Sequence, residues 1–97
     1  MNLELGKILF TAAIADAVSN SNDFSAFVCQ SIDKHKACNW GDCDPEDAHQ
    51  NDLSFESGGR ILSVYKFTAS QDDSEPKIWI ITEWDRSVTT VLYPSDY

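Results

Sequence analysis

Lys77-Ile78-Trp79-Ile80-Ile81-Thr82-Glu83-Trp84-Asp85-Arg86-Ser87-Val88-Thr89-Thr90-Val91-Leu92-Tyr93-Pro94 is the stretch on which the fold turns. Lys77 to Trp84 is rich in β-branched and aromatic residues and reads as a strand, with Ile78, Ile80 and Thr82 on one face and Trp79, Ile81 and Glu83 on the other. Asp85-Arg86-Ser87 turns the chain. Val88 to Tyr93 returns as a further strand, and Pro94, which cannot donate to a ladder, stops it.

Upstream, Arg60 to Phe67 alternates in the same way, with Ile61, Ser63, Tyr65 and Phe67 on one face and Leu62, Val64 and Lys66 on the other. The polar segment Gln71 to Pro76 is the turn that joins it to Lys77. Three consecutive strands with short connections predict an antiparallel meander.

The part before Arg60 is helical in pattern. Ser21-Asn22-Asp23 offers side-chain oxygens for an N-cap, and Phe24, Phe27, Val28, Ser31, Ile32 and His35 recur at helical spacing, so a helix is expected over Asp23 to Lys36. Lys34, His35 and Lys36 place positive charge in its last turn, where the helix dipole favours it. Asn39-Trp40-Gly41-Asp42 breaks the pattern. Asp44 then caps a second helix with Pro45 at its first position, running to Glu56 and ending at Gly58-Gly59. Its apolar content is thin (Ala48, Leu53, Phe55), which predicts a surface helix. Lys7 to Thr11 reads as a short first strand, and Ala12 to Val18 as either one or two helical turns or a loop. The expectation is one α+β domain over residues 1–97: an N-terminal strand, two helices and a three-stranded meander, with the helices on one face of the sheet. The other face is then partly wet or packs on a second copy.

Sixteen acidic residues against seven basic ones give a formal net charge of -9. Such a surface repels nucleic-acid phosphates, so direct nucleic-acid binding is not expected, and it attracts basic proteins, including those that hold nucleic acid. The N-terminus lacks the basic start of a signal peptide, and the apolar stretch Ile8 to Val18 is interrupted by Thr11 and Asp16 and is too short to span a bilayer. Three cysteines do not suit a secreted disulfide framework. A cytoplasmic protein follows, with Cys29 expected as a buried thiol on the apolar helical stripe.

No constellation of residues points to catalysis. His35, Cys38, Cys43 and His49 are residue types that zinc takes, but their spacing fits no standard knuckle and Asp42 and Asp44 crowd them, so they read as two exposed thiols and two surface histidines. The neighbouring acids raise the pKa of Cys38 and Cys43, which disfavours a cysteine nucleophile. Asp42-Cys43-Asp44-Pro45-Glu46 alternates too briefly for a calcium loop, and Pro45 opens a helix within it. There is no phosphate loop or serine elbow. No cofactor and no metal are therefore assigned.

Two binding surfaces remain. Asp42, Asp44, Glu46, Asp47, Asp52 and Glu56 form an acidic run with no basic residue between Lys36 and Arg60, suited to steering a basic protein. Trp84, Asp85 and Arg86, with Trp79, Tyr93 and Tyr97 near in sequence, have the composition of a hot spot, or of a turn held by an Asp85–Arg86 ion pair.

Asn39-Trp40-Gly41-Asp42, Asn51-Asp52, Gly59 to Tyr65 and above all Pro76 to Pro94 resemble a family of short bacterial proteins known as plasmid-related proteins. The resemblance spans nearly the whole chain from Gly6-Lys7 onward. It departs from the family pattern around Cys38 and Cys43 and in the acidic turn Ser70 to Glu75. The resemblance implies a gene carried on plasmids and other mobile elements, and a protein with no assigned reaction. A small acidic protein of that origin looks like an anti-defence protein. Some anti-CRISPR proteins are DNA mimics, imitating phosphates with carboxylates. The expectation is thus an anti-CRISPR-like inhibitor, not an enzyme, that blocks the basic nucleic-acid channel of a CRISPR effector. The alternative is a plasmid-maintenance or regulatory adaptor acting through a homodimer or a host protein.

Overall fold

Side-chain oxygens start each of the helices. In the computed structural model, which describes residues 2–67 and 77–97, the Thr11 hydroxyl accepts from the Ile14 amide and opens α1, Ala12–Asn20. Ser21 stands extended between two helices, ends α1, and accepts from the Phe24 amide to open α2, Asn22–Lys36. Asp44 opens α3, Pro45–Ser57, which stops at Gly58 in the left-handed conformation. The described residues therefore hold three α-helices rather than two. The ambiguous segment after Thr11 is helical because it has both a cap and an alanine-rich run.

The strands are β1, Lys7–Phe10; β2, Ile61–Lys66; β3, Lys77–Thr82; and β4, Val88–Leu92. As expected, β2, β3 and β4 form an antiparallel meander, with Tyr65 opposite Ile78 and Ile80 opposite Val91. The first strand does more than precede it: β1 lies beside β4 in parallel, giving a four-stranded mixed sheet of order β1-β4-β3-β2. Gly6 permits this approach. It has a positive φ, and a Cβ there would strike the Arg86 and Ser87 carbonyls at the turn before β4. The polar turn expected over Gln71 to Pro76 and the acidic segment Ser70 to Glu75 lie outside the described residues.

α1 and α2 cover one face of the sheet. Ile14, Phe24 and Val28 meet Tyr65, Ile78, Ile80 and Val91 in the larger core cluster, so the helices cover the face that carries Ile61, Ser63 and Tyr65 of β2 and Ile78, Ile80 and Thr82 of β3. Phe24 centres an aromatic group with Phe27, Phe67 and Tyr93. A smaller cluster of Leu3, Trp40 and Ile61 closes the end near α3. Cys29 is exposed, contrary to the expected buried thiol. The buried line of α2 is Phe24, Val28, Ser31 and His35, and Cys29 lies about 100° round the helix from Val28.

The end of α2 is a six-to-one and five-to-two turn. Asn39 N–H donates to Lys34 O and Cys38 N–H to His35 O, with Cys38 at φ 64 where glycine is usual. This turn aims Asn39 to Asp42 at the free side of β2.

Candidate functional site

α3 runs along the outer side of β2, capped at its start and tied at its middle and its end to other parts of the chain. At its start, Asp44 Oδ1 accepts from the Asp47 amide at 2.9 Å, and Glu46 and Asp47 put negative charge on the positive end of the helix. Just before the helix, Asp42 N–H donates to Val64 O, Val64 N–H donates to Trp40 O, and Asp42 Oδ2 accepts from the Lys66 amide. In mid-helix, the Asn51 amide group behaves like a piece of strand. Its Nδ2 donates to Leu62 O at 2.8 Å, and its Oδ1 accepts from Leu62 N–H at 3.2 Å. Asp52 Oδ1 accepts from the Trp40 indole N–H at 2.9 Å. The outward N–H and C=O of Leu62 and Val64 and the N–H of Lys66 are thereby occupied, and β2 offers no free edge at Leu62 and Val64.

The last fastening comes from across the sheet. α3 has no basic residue in its final turn. Arg86, held at φ 62 in the β3–β4 turn, supplies the charge: its guanidinium donates to Ser54 O at 2.8 Å, Gly59 O at 2.6 Å and Glu83 O at 3.2 Å. The expected Asp85–Arg86 ion pair does not form. Asp85 instead accepts from the Ser87 hydroxyl and amide, and these hydrogen bonds lower its pKa.

The six acids of the run therefore differ in what holds them. Asp42, Asp44 and Asp52 each accept a hydrogen bond from within the chain. Glu46, Asp47 and Glu56 are exposed, and among the described residues their carboxylates accept none. Glu46 and Glu56 share the outward face of α3 with His49 and with Leu53, which is 47% exposed. Leu53 drew notice in the sequence only as thin apolar content, and Asn51 only within the Asn51-Asp52 resemblance. Glu46, His49, Leu53 and Glu56, spaced three, four and three apart, carry the signal for an outward face. A groove of about 230 Å³ beside this face is lined by Asp47, Gln50, Asn51, Arg60 and Leu62.

Arg86 joins the two candidate surfaces, because it ties the Trp84-Asp85 corner to the end of α3. Trp84 is 67% exposed. The other aromatics disperse. Tyr93 enters the core beside Phe24. Trp79 meets Tyr97 edge-on across the opposite sheet face, where the Arg60 guanidinium lies 5.3 Å from the Tyr97 ring centre and donates to its hydroxyl.

The residue types of a zinc site do not converge. Among the described residues, no three His, Cys, Asp or Glu side chains are grouped to hold a metal ion. His49 is exposed and Cys38 and Cys43 are partly buried. Burial pushes both thiols up, and for Cys43 the Asp47, Asp44 and Asp42 carboxylates add to the effect. His35 was expected at the surface and is fully buried. Its Nδ1 meets Ser63 Oγ, its Nε2 lies 2.8 Å from Thr82 Oγ1, Thr82 Oγ1 lies 2.8 Å from Thr89 Oγ1, and Thr89 donates to Leu5 O at 2.6 Å. The protons of this chain are determined from its end. A carbonyl can only accept, so Thr89 donates to Leu5 and must accept from Thr82. Thr82 must then accept from His35 Nε2–H. Burial, then the Arg86 charge, lower the pKa of His35 to about 4, so at neutral pH the ring is uncharged and Nδ1 accepts from Ser63. With no exposed surface, this Ser–His–Thr relay has no approach for a substrate.

No helix among the described residues is long and apolar enough to cross a membrane. No protein-family model, curated protein or solved structure matches the chain.

Proposed function

We propose that the chain works by recognition rather than turnover: the acidic outer face of α3 docks on a basic protein surface of the kind that otherwise holds nucleic acid, and inhibits it. An anti-CRISPR-like inhibitor of a CRISPR effector, encoded on a mobile element and acting in the cytoplasm, is the form of this reading that the family resemblance favours. The carrying observation is the division of labour within the acidic run. Asp42, Asp44 and Asp52 are fixed by hydrogen bonds that hold the helix in place, while Glu46, Asp47 and Glu56 project from it unengaged among the described residues. A helix held in place loses little backbone freedom on binding, and the carboxylates it carries present negative charge to a cationic groove. Leu53 adds an apolar contact at the centre of that face.

The test is titration of the chain against purified CRISPR effectors, reading DNA binding and cleavage at two salt concentrations. Inhibition should weaken with salt and vanish in a Glu46→Lys, Asp47→Lys, Glu56→Lys variant that melts like the parent. No effect on any effector at low salt argues against the reading.

The 67% exposure of Trp84 favours a second reading, in which the chain is a plasmid-maintenance or regulatory adaptor whose contact is the Trp84-Asp85 corner. In that case Trp84→Ala abolishes partner capture and the α3 charge reversal leaves it intact.

A further inference from the structure

The two edges of the sheet are treated in opposite ways. The β2 edge is occupied at Leu62, Val64 and Lys66 by Asn51, the Trp40–Asp42 backbone and the Asp42 carboxylate. The β1 edge has no such cover among the described residues. Lys7 N–H donates to Ser87 O and Thr11 N–H to Val91 O, so residues 7, 9 and 11 turn their backbone groups toward β4. By strand alternation, the N–H and C=O groups of Ile8 and Phe10 point away from the sheet. The side chains there are apolar and half open: Ile8 is 43% exposed, Leu9 40% and Phe10 39%. Such an edge is a template for another strand.

Charge selects the occupant. Lys7 and Lys36 lie at the start of β1, where Arg86 also passes on its way to the Ser54 and Gly59 carbonyls, with Glu4 and Asp85 as the acids of that end. At its other end Asp96 accepts from the Thr11 hydroxyl and the Tyr93 amide, and burial, then the Asp96 and Asp16 carboxylates, raise the pKa of Tyr93. A two-fold axis beside β1 pairs it antiparallel with its own copy, which sets the cationic end of each strand against the Asp16–Asp96 end of the other. The same axis solves the problem of net charge. α3 lies beyond β2, at the far edge, so in an eight-stranded sheet the two β2 strands stand seven spacings apart, about 34 Å at ~4.8 Å per spacing. That is several times the screening length of about 8 Å at physiological salt. Any approach through α3 would instead bring like charges together.

We infer that β1 is a self-association edge, and that a second copy of this chain adds antiparallel across Ile8, Leu9 and Phe10 to make a continuous eight-stranded sheet with an acidic helix at each end. This does not rest on the proposed inhibition, and either can fail without the other.

Sedimentation velocity of the intact chain at physiological salt, from low to high micromolar, tests it. The expected result is a concentration-dependent species of twice the chain mass. Ile8→Pro removes an outward N–H without touching the bonds from Lys7 and Thr11 to β4, and Leu9→Lys places a charge in the seam. Each should weaken the dimer at least ten-fold while the thermal melt matches the parent. A chain that stays monomeric over the whole range overturns the inference. So does a dimer undiminished by Leu9→Lys, which also decides the matter if Ile8→Pro fails to fold. A dimer abolished by the α3 charge reversal and not by the β1 changes places the interface elsewhere and overturns it too.

Discussion

The polar interior beneath α2 and the polar exterior of α3 use similar chemistry in opposite ways. Under α2, Ser63, His35, Thr82 and Thr89 are buried, and every proton in the relay has one destination. Along α3, the carboxylates are exposed, and three of them have only a single structural hydrogen bond each from Trp40, Asp47 and Lys66. In a dry site, a missing partner costs the full desolvation of the group left behind. At the surface, water replaces it. The interior can therefore vary little, whereas the outward residues of α3 can change without affecting the fold. This is the property expected of a surface that must follow a partner.

The sharpest test of the contrast is His35→Ala. It opens a cavity and orphans Ser63 and Thr82 together, so a loss of about 3–5 kcal/mol is expected in urea denaturation. A loss below about 1 kcal/mol would break the comparison. Acid should act on the same site. His35 takes up a proton near 6.5 when unfolded and only near 4 when folded, so stability is full above the first value and falls as pH drops toward the second. Between pH 7.5 and 4.5 this group alone accounts for about 2–3 kcal/mol, and the slope should flatten in His35→Leu.

Asn51→Ala lies between the two regimes. It frees the N–H of Leu62 and leaves its C=O with only the weak Cys43 thiol donor, and should cost about 2 kcal/mol, with thioflavin-positive aggregation on heating as the β2 edge opens. At the far end of the scale, neutralising Glu46, Asp47 and Glu56 to their amides should cost about 1 kcal/mol, from the two first-turn charges that favour the helix dipole. Its larger effect should fall on the affinity for a basic partner and on the salt dependence of that affinity.

Much of this was legible locally. The alternation of Ile61, Ser63 and Tyr65 against Leu62 and Val64, and of Ile78, Ile80 and Thr82 against Trp79 and Ile81, foretold the meander and sorted its side chains into the two faces seen, because a strand's period of two leaves little choice. Ser21 and Asp44 announced their helices by cap chemistry. His35 fell on the buried stripe of α2, but its partners lie 28 and 47 residues away, and no periodicity points to them. Arg86 was unreadable for the same reason. Its neighbour Asp85 suggested a local pair, while its actual partners, Ser54 O and Gly59 O, are main-chain atoms that no side-chain motif marks. The clue available was a deficit, a helix ending in Glu56-Ser57 without a cation.

The parallel pairing of β1 with β4 joins residues about 81 positions apart, and β4 lies inside the sheet rather than at its edge. Closing so long a loop must await the C-terminal strand, so the ribosome releases most of this chain before its sheet can be completed. Until Val88 to Leu92 emerges, β3 and β1 each lack a neighbour. A message cut short before that point yields a sticky fragment rather than a weakened domain.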